Sequence, residues 1–242
     1  MKVQRCYRLD EEVEQVLLHT FTDASKLAYA AVSYTRYKYV SGKISVALVT
    51  AKARVAPIKS VGIPRLELMG AVLGVRLAET VSEKLKKTLS EHTLWMDSMG
   101  VICCVQGHSR RLKSFVGNRV AEIQRKISPA QWRDVPGEEN PADTATRGLA
   151  LRDMTTESRW FQGPSFLHEG EESWPLDHRP YETDCTEEGK QELSKISLTF
   201  QTNRSFPLLD ADRFPSWLKL VRVTAWIMRF ISPCKRARLH GI

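Results

Sequence analysis

Four acidic residues have types and positions that could do chemistry, and two of them end apolar stretches. Asp23 directly follows the stretch 17–22 and Asp97 directly follows the stretch 93–96. Both stretches carry the aliphatic, aromatic and β-branched side chains of buried strands. A carboxylate at the end of a buried strand is costly unless hydrogen bonds or a cation compensate its charge. Asp23 is therefore either a turn residue bonded to its neighbours or part of a metal site, and Asp97 repeats the pattern.

The third acid, Glu67, belongs to a long predicted helix. Pro64 favours a helix start, and the apolar spacing continues to about residue 89. Glu67 shares a stripe of this helix with small residues, which are Gly70, Ala71, Gly74 and Ala78. Because small residues let a helix approach a sheet closely, we expect Glu67 to face the sheet. The alternative is an exposed first-turn Glu that stabilises the helix dipole.

The fourth acid, Asp143, lies near the start of a later helix. Asn140 suits the N-cap and Pro141 the first helical position, so Asp143 falls at the third position. The positive end of a helix favours a carboxylate there. Capping alone could therefore explain this residue.

The predicted element order is β-β-β-α-β-α-α-β-α. Strands 17–22, 28–39 and 43–56 form a meander with a hairpin turn at Ser41-Gly42, and strands 93–96 and 131–135 follow the long helix. The remaining helices are predicted at 99–106, at 115–127 and from residue 140 onward. Right-handed crossovers after a meander would set the first and fourth strands side by side. Asp23 and Asp97 would then be neighbours at the centre of the sheet.

Four carboxylates that converge at one place repel one another strongly unless cations are present. Two Mg²⁺ ions about 3.5–4 Å apart would relieve that repulsion and form a phosphodiester hydrolysis site. Ligands that are all hard oxygens favour Mg²⁺ or Mn²⁺ over zinc.

The net charge limits the class of partner, and the cysteine usage indicates the cellular compartment. The 242-residue chain has 36 Lys and Arg against 28 Asp and Glu, a net charge of +8 that fits a polyanionic partner or simply a basic soluble protein. Its five cysteines form no CxxC pair, and Cys103 and Cys104 lie in an apolar run. We therefore expect core cysteines in a reducing compartment, with no disulfide scaffold and no zinc site.

Basic residues are densest between the fourth strand and the fifth. We expect them either to contact a nucleic-acid backbone or to form a solvated helix face. They are Arg110, Arg111, Lys113, Arg119, Arg125 and Lys126.

No membrane association is expected. The first 15 residues have no apolar core of a signal peptide. The apolar stretch 214–231 contains three cations, which argue against a membrane span.

Six segments in a fixed order carry a family resemblance. They are FTDAS, IPRLELMGAVLGVRLAE, LWMDS, FVGNRVAEI, WRDVPGEENPADTATRG and GPSFL followed by WP. Together they resemble the ribonuclease H-like domain of BEL/Pao retrotransposon Pol polyproteins, over about residues 17–176.

The resemblance implies an α/β fold with a mixed five-stranded sheet flanked by helices. It places the catalytic and metal-binding acids of that family on Asp23, Glu67, Asp97 and Asp143. It implies an endonuclease that uses two Mg²⁺ ions, or Mn²⁺, to hydrolyse the RNA strand of RNA–DNA hybrids. One departure concerns the loop before the last acid, where cellular ribonucleases H carry a histidine. Here Glu138 or Glu139 is either a substitute or a solvated residue.

The rest of the chain is divided by composition and by the same resemblance. We expect a lead-in over 1–16, the domain over 17–176, an acidic and polar disordered linker over 177–205 and a helical connector over 206–242. The connector is similar to the region before integrase in such polyproteins. Reverse transcriptase, protease and integrase motifs are not found in the sequence, so we expect a piece of a polyprotein or a remnant of one. Reverse transcriptase and integrase modules are the expected protein partners, and the expected location is intracellular, cytoplasmic or nuclear.

Two other functions compete with the nuclease. The first is a catalytically inactive retroelement-derived domain that binds nucleic acid or connects modules. The second is a transposase or integrase core, which would need its Glu on a late helix. Glu67 is the second acid in the chain and lies on the first long helix, so the transposase or integrase hypothesis is the weakest of the three.

Overall fold

The computed structural model describes residues 10–59, 61–86, 92–107 and 112–175. All of them belong to one unit, Met1–Ile196. Most of the predicted lead-in, the linker 177–205 and the connector 206–242 lie outside the described residues, so these three predictions stay predictions.

Five strands form one mixed sheet in the order β3-β2-β1-β4-β5. The first three make an antiparallel meander, and β4 and β5 join it in parallel. Their bounds are Val13–Ala24 for β1, Ala28–Tyr39 for β2, Ile44–Val55 for β3, His92–Met96 for β4 and Trp132–Asp134 for β5. The fold class predicted from the sequence is confirmed, including the placement of β4 beside β1.

Helices flank the sheet on both faces. They are α1 at Ile63–Leu85, α2 at Met99–Gln106, α3 at Ser114–Lys126, α4 at Ala142–Arg147 and α5 at Arg159–Gln162, with short 3-10 turns between them. The prediction for α1 ran to about residue 89 and was too long. The helix ends at Leu85 because Lys86 adopts a left-handed conformation with φ of 53° and caps it.

Helices α1, α2 and α3 pack their apolar faces against one side of the sheet. The largest core cluster joins side chains of these helices to Leu94, Met96 and Trp132 of β4 and β5. Cys103 is buried in α2, and Cys104 packs at the margin of the same cluster. Both cysteines are therefore packing residues, as their apolar surroundings predicted.

The stripe of small residues on α1 brings the helix close to β1, as predicted. A Cβ atom on Gly74 would overlap Cγ2 of Thr22, and one on Gly70 would lie 3.0 Å from the Asp23 carbonyl oxygen. Only glycine leaves room for this approach. Because Glu67 lies one turn before Gly70, it starts from the part of the helix nearest to the end of β1.

The segment 159–175 covers the opposite face of the sheet. Phe166, Leu167 and Trp174 are buried there against Phe21 and Trp95. The aromatic rings of this segment thus enter the core itself. Among the helices that the structure describes, none is long and apolar enough to cross a membrane.

Candidate active site

An open pocket of about 480 Å³ lies where β1 and β4 end. Three of the four acids selected from the sequence line it, namely Asp23, Glu67 and Asp97. Two cationic residues, Lys26 and Arg147, also contribute to its walls. The pocket therefore combines a carboxylate cluster with positive charge.

Asp23 is the most enclosed of the acids, with 6% of the residue exposed. The Thr146 hydroxyl donates a hydrogen bond to its Oδ2 atom and is also 3.1 Å from the Asp143 carbonyl oxygen. Burial raises the pKa of Asp23, and the nearby Asp143 carboxylate adds to the rise, whereas the Thr146 hydrogen bond opposes it. This carboxylate is thus held in place and poorly solvated.

Asp97 directly follows β4 and keeps one side open to solvent. Partial burial, which removes solvent from the carboxylate, raises the pKa of Asp97 to about 6, and the charges of Asp23, Asp143 and Asp134 add to the rise. The loop before α4 comes close to it, since a Cβ atom on Gly137 would be 3.3 Å from Oδ2 of Asp97. Asp97 therefore lies among other carboxylates, and their mutual repulsion favours its protonated form.

Glu67 is half-buried in the first turns of α1. Its Oε2 atom accepts a hydrogen bond of 2.7 Å from the hydroxyl of Ser98, the residue after Asp97. Of the two alternatives left open by the sequence, the structure shows the one in which Glu67 faces the end of the sheet. The exposed helix-dipole role is wrong.

Asp143 is tied to the sheet through the start of α4. The Asn140 amide nitrogen donates to the Thr22 carbonyl oxygen at 3.0 Å, and its Oδ1 accepts from the backbone of Ala142 at 3.1 Å. The predicted N-cap at Asn140 is wrong by one residue, since the N-cap is Pro141 and α4 begins at Ala142. Asp143 is therefore the second residue of the helix and not its third. The Asp143 Oδ1 atom is 2.5 Å from Nε of Arg147, one turn later.

The four carboxylates offer the hard oxygen ligands that Mg²⁺ or Mn²⁺ prefers. The pKa values of Asp23 and Asp97 are both raised, so a bound cation would stabilise the ionised form of each carboxylate. In the part of the chain that the structure describes, however, no three His, Cys, Asp or Glu side chains are close enough together to hold a metal ion. The donor chemistry therefore fits a divalent cation, and a complete ligand set requires side chains to move.

Of the predicted nucleic-acid-binding residues that the structure describes, none lines this pocket. Arg110 and Arg111 lie outside the described residues. Lys113 precedes α3 and is exposed, as is Arg125 near its end. Arg119 lies over the Phe115 ring, with 3.5 Å from its Cζ atom to the ring centre, and Lys126 forms an ion pair with Glu79. Part of the predicted patch is therefore already engaged in contacts within the protein.

Sequence reasoning missed the residues that position the acids, namely Thr146, Ser98 and Arg147. A faint signal exists for each, since Ser98 follows Asp97 directly, and Thr146 and Arg147 lie one helical turn after Asp143. Glu138 of the loop before α4 is exposed and Glu139 is partly exposed. Nothing in their surroundings separates the two alternatives proposed for them.

Residues 1–98 match the family described as "Pao retrotransposon-like RNaseH-like domain". A search of curated proteins gave no match.

Several solved structures are similar at low identity. RNase H1 from the halophilic archaeon Halobacterium salinarum NRC-1 is 12% identical with a TM-score of 0.35, covering 53% of this chain and 92% of that one. An N-terminal RNase H domain from Mycobacterium tuberculosis is 13% identical with a TM-score of 0.35, covering 54% and 88%. LC11-RNase H1 in complex with an RNA/DNA hybrid is 14% identical with a TM-score of 0.34, covering 52% and 88%.

The fold assignment rests on the strand order and on the family match, which covers the first three strands, α1, β4 and the acids Asp23, Glu67 and Asp97. The family resemblance stated from the sequence is confirmed for residues 1–98. Over that region the chain is similar to the Pao retrotransposon RNaseH-like domain, and its five strands form the mixed, helix-flanked sheet that this resemblance implied.

Proposed function

We propose that this chain is a metal-dependent endonuclease that hydrolyses the RNA strand of RNA–DNA hybrids, as part of a retrotransposon Pol polyprotein or its remnant. The observation that carries the proposal is the single pocket lined by Asp23, Glu67 and Asp97. A pocket of carboxylates at the ends of adjacent parallel strands suits phosphodiester hydrolysis better than it suits a purely structural role, because clustered like charges repel one another and destabilise the fold.

In this proposal Asp23, Glu67, Asp97 and Asp143 hold two divalent cations, Mg²⁺ or Mn²⁺. Such ions, when bound, supply an activated water and stabilise charge on the leaving 3′ oxygen. The chain itself positions the ligands, because Thr146 fixes Asp23 and Ser98 fixes Glu67. The proposed substrate comes from the family resemblance. Its recognition would require contacts to 2′-hydroxyls across a wide minor groove.

The proposed partners and location follow from the same family resemblance. The basic residues around α3 would contact the phosphate backbone. Reverse transcriptase and integrase modules of the same polyprotein remain the proposed protein partners. An intracellular location, cytoplasmic or nuclear, is proposed with them.

One observation favours the alternative of an inactive nucleic-acid-binding or module-connecting domain. Within the described residues no three acids are close enough to hold a metal, and one carboxylate, that of Asp143, is paired with Arg147. The two functions differ in whether the chain cleaves a hybrid that it binds.

The deciding experiment is cleavage of a labelled RNA–DNA hybrid in Mg²⁺ by the wild-type chain, Asp97→Asn and Asp153→Asn. Asp153 is an exposed acid that does not line the pocket, and it serves as a matched control. We expect cleavage by the wild type and the control, and a loss of at least about 100-fold in Asp97→Asn, because one cation ligand is removed. Binding without cleavage by the wild type would favour the inactive domain, and equal cleavage by all three chains would remove Asp97 from catalysis.

A further inference from the structure

Arg147 combines two features that the nuclease proposal has not used. Its Nε atom is 2.5 Å from Oδ1 of Asp143, four residues earlier on α4. It also lines the acid pocket, and its side chain is 71% exposed against 28% for Asp143. An exposed cation therefore lies at the edge of the pocket and is bonded to one of the proposed cation ligands.

This ion pair can open at little cost. Exposed pairs one helical turn apart contribute little to stability, because solvent screens them and side-chain freedom is lost when they form. A phosphate group offers a guanidinium two parallel charge-assisted hydrogen bonds, which are stronger than the single contact to Asp143. A nucleic-acid backbone entering the pocket would therefore compete successfully for Arg147.

We propose that Arg147 is a positioning residue that exchanges partners. In the free protein it pairs with Asp143, and with nucleic acid bound it pairs with a backbone phosphate and releases Asp143 to complete the cation site. This inference rests on the proposed nuclease function and adds how substrate and cation binding at that site are coupled.

Two effects of opposite sign follow. Without nucleic acid, Arg147 opposes a divalent cation, both by occupying Asp143 and by adding positive charge to the pocket. With nucleic acid it favours binding of the phosphate backbone. Removing its charge should therefore strengthen cation binding and weaken nucleic-acid binding. A residue with only a structural role would weaken both.

The test uses the full chain and the variants Arg147→Gln, Arg147→Lys and Arg152→Gln. Arg152 is the matched control, because it has the same charge, is 87% exposed and pairs with Asp153 at 3.8 Å. Mn²⁺ binding is measured by calorimetry without nucleic acid, and hybrid binding is measured in chelator, where no cleavage can occur.

We expect Arg147→Gln to bind Mn²⁺ about three- to tenfold more tightly and the hybrid about three- to tenfold more weakly than the wild type. Arg147→Lys should lie between them, and Arg152→Gln should change neither affinity by more than about twofold. An unchanged Mn²⁺ affinity, an unchanged hybrid affinity, a fall in both for Arg147→Gln, or no Mn²⁺ binding by the wild type would each overturn the proposal.

Thermal unfolding of each variant identifies a folding defect. If Arg147→Gln is defective, Arg147→Lys, which keeps the charge, is compared with the wild type in its place. The two proposals fail separately. A wild-type chain that binds Mn²⁺ and hybrid without cleaving it refutes the nuclease, while the opposite shifts in Arg147→Gln still support the exchange. A wild-type chain that cleaves, together with an Arg147→Gln variant unchanged in both affinities, refutes the exchange alone.

Discussion

Asp97, directly after β4, lies at the same level of the sheet as Asp23, near the end of the neighbouring parallel strand β1. The register fixes this relationship, because Trp95 pairs with Phe21 and each acid comes two residues later. Asp23 is accordingly the largest charged contribution to the raised pKa of Asp97, after the effect of burial. The acid pair follows from strand order alone, and its consequences for stability can be measured.

The first prediction concerns pH. Because the pKa of Asp97 is about 6 in the folded protein and 3.8 ordinarily, the folded state binds this proton more tightly than the unfolded chain. The free energy of unfolding should therefore fall as pH rises from about 4 to 6 and level off above. In chelator at pH 7, Asp97→Asn should be more stable than the wild type by about 1–2 kcal/mol, allowing for the open side of this group.

Urea unfolding between pH 4 and 7.5 gives this difference. The difference between the two proteins reports Asp97 together with its coupling to Asp23 and Asp143. Carboxylates that do not interact with Asp97, such as Glu122 with its lowered pKa, affect both proteins equally. Asp153→Asn should follow the wild-type curve. Parallel curves for Asp97→Asn and the wild type would show that the pKa of Asp97 is ordinary.

The second prediction concerns the close approach of α1 to β1. Gly74→Ala should lower the free energy of unfolding by about 1–3 kcal/mol, because the new methyl group would overlap Thr22. This loss exceeds the gain of up to about 1 kcal/mol that alanine brings to a helix interior. Chemical denaturation gives the value.

Gly62→Ala is the control, since a Cβ atom there would meet only Pro64 at 3.9 Å. Its effect should stay within about 0.5 kcal/mol, because the loss at the helix start and the gain from a stiffer unfolded chain offset each other. Equal effects at Gly74 and Gly62 would mean that α1 can move away from the sheet without cost.

The sequence predicts those features of the site that depend on residues close together in the chain. Asp23 and Asp97 end apolar stretches, and chain order alone makes those strands neighbours. The small-residue stripe likewise points Glu67 toward the sheet. All three inferences need only local pattern and the handedness of crossovers.

The features that the sequence does not predict depend on contacts between distant segments. Thr146 bonds to Asp23 across 123 positions, and Ser98 bonds to Glu67 across 31. β1 begins at Val13, earlier than predicted, because pairing with β2 extends it through the polar residues Glu14 and Gln15. Hydropathy cannot indicate such pairing, since it reports burial and not partners.

The third prediction concerns Arg36, a cation that is only 2% exposed. Its Nε donates to the Leu167 carbonyl at 2.9 Å and its Nη2 to the Glu169 carbonyl at 2.7 Å, and its guanidinium lies 5.6 Å from the Trp174 ring centre. Arg36→Ala should cost about 2–4 kcal/mol, because the buried carbonyl of Leu167 and the partly buried carbonyl of Glu169 lose their charged donor. Cleavage within 159–175 should become faster under limited proteolysis.

Lys38→Ala is the comparison on the same strand. Lys38 is 40% exposed and pairs with Glu14 at the surface, so its loss should cost about 1 kcal/mol or less. If Arg36→Ala leaves the proteolysis of 159–175 unchanged, packing of Phe166 and Trp174 alone holds this segment.

The last prediction separates the basic residues around α3 by what they already contact. Each cation that neutralises a phosphate steepens the salt dependence of binding by about 0.9 in a log–log plot. Arg110→Ala combined with Arg111→Ala should therefore weaken hybrid binding and reduce the slope by about 2 if both contact the backbone. Binding in chelator at several salt concentrations measures the slope.

Lys126→Ala should change the slope of the salt dependence by less than the value of about 0.9 expected for one phosphate contact. Lys126 is already paired with Glu79 and must leave that partner to reach a phosphate. Arg125 is exposed, with its Nε 3.2 Å from the Ala121 carbonyl, so Arg125→Ala should have the larger effect of the two. Equal slope changes at Lys126 and Arg125 would show that the Glu79 pair opens without cost. An unchanged slope in the double variant would exclude Arg110 and Arg111 from the interface and move the backbone contacts toward Lys26 and Arg147 at the acid pocket.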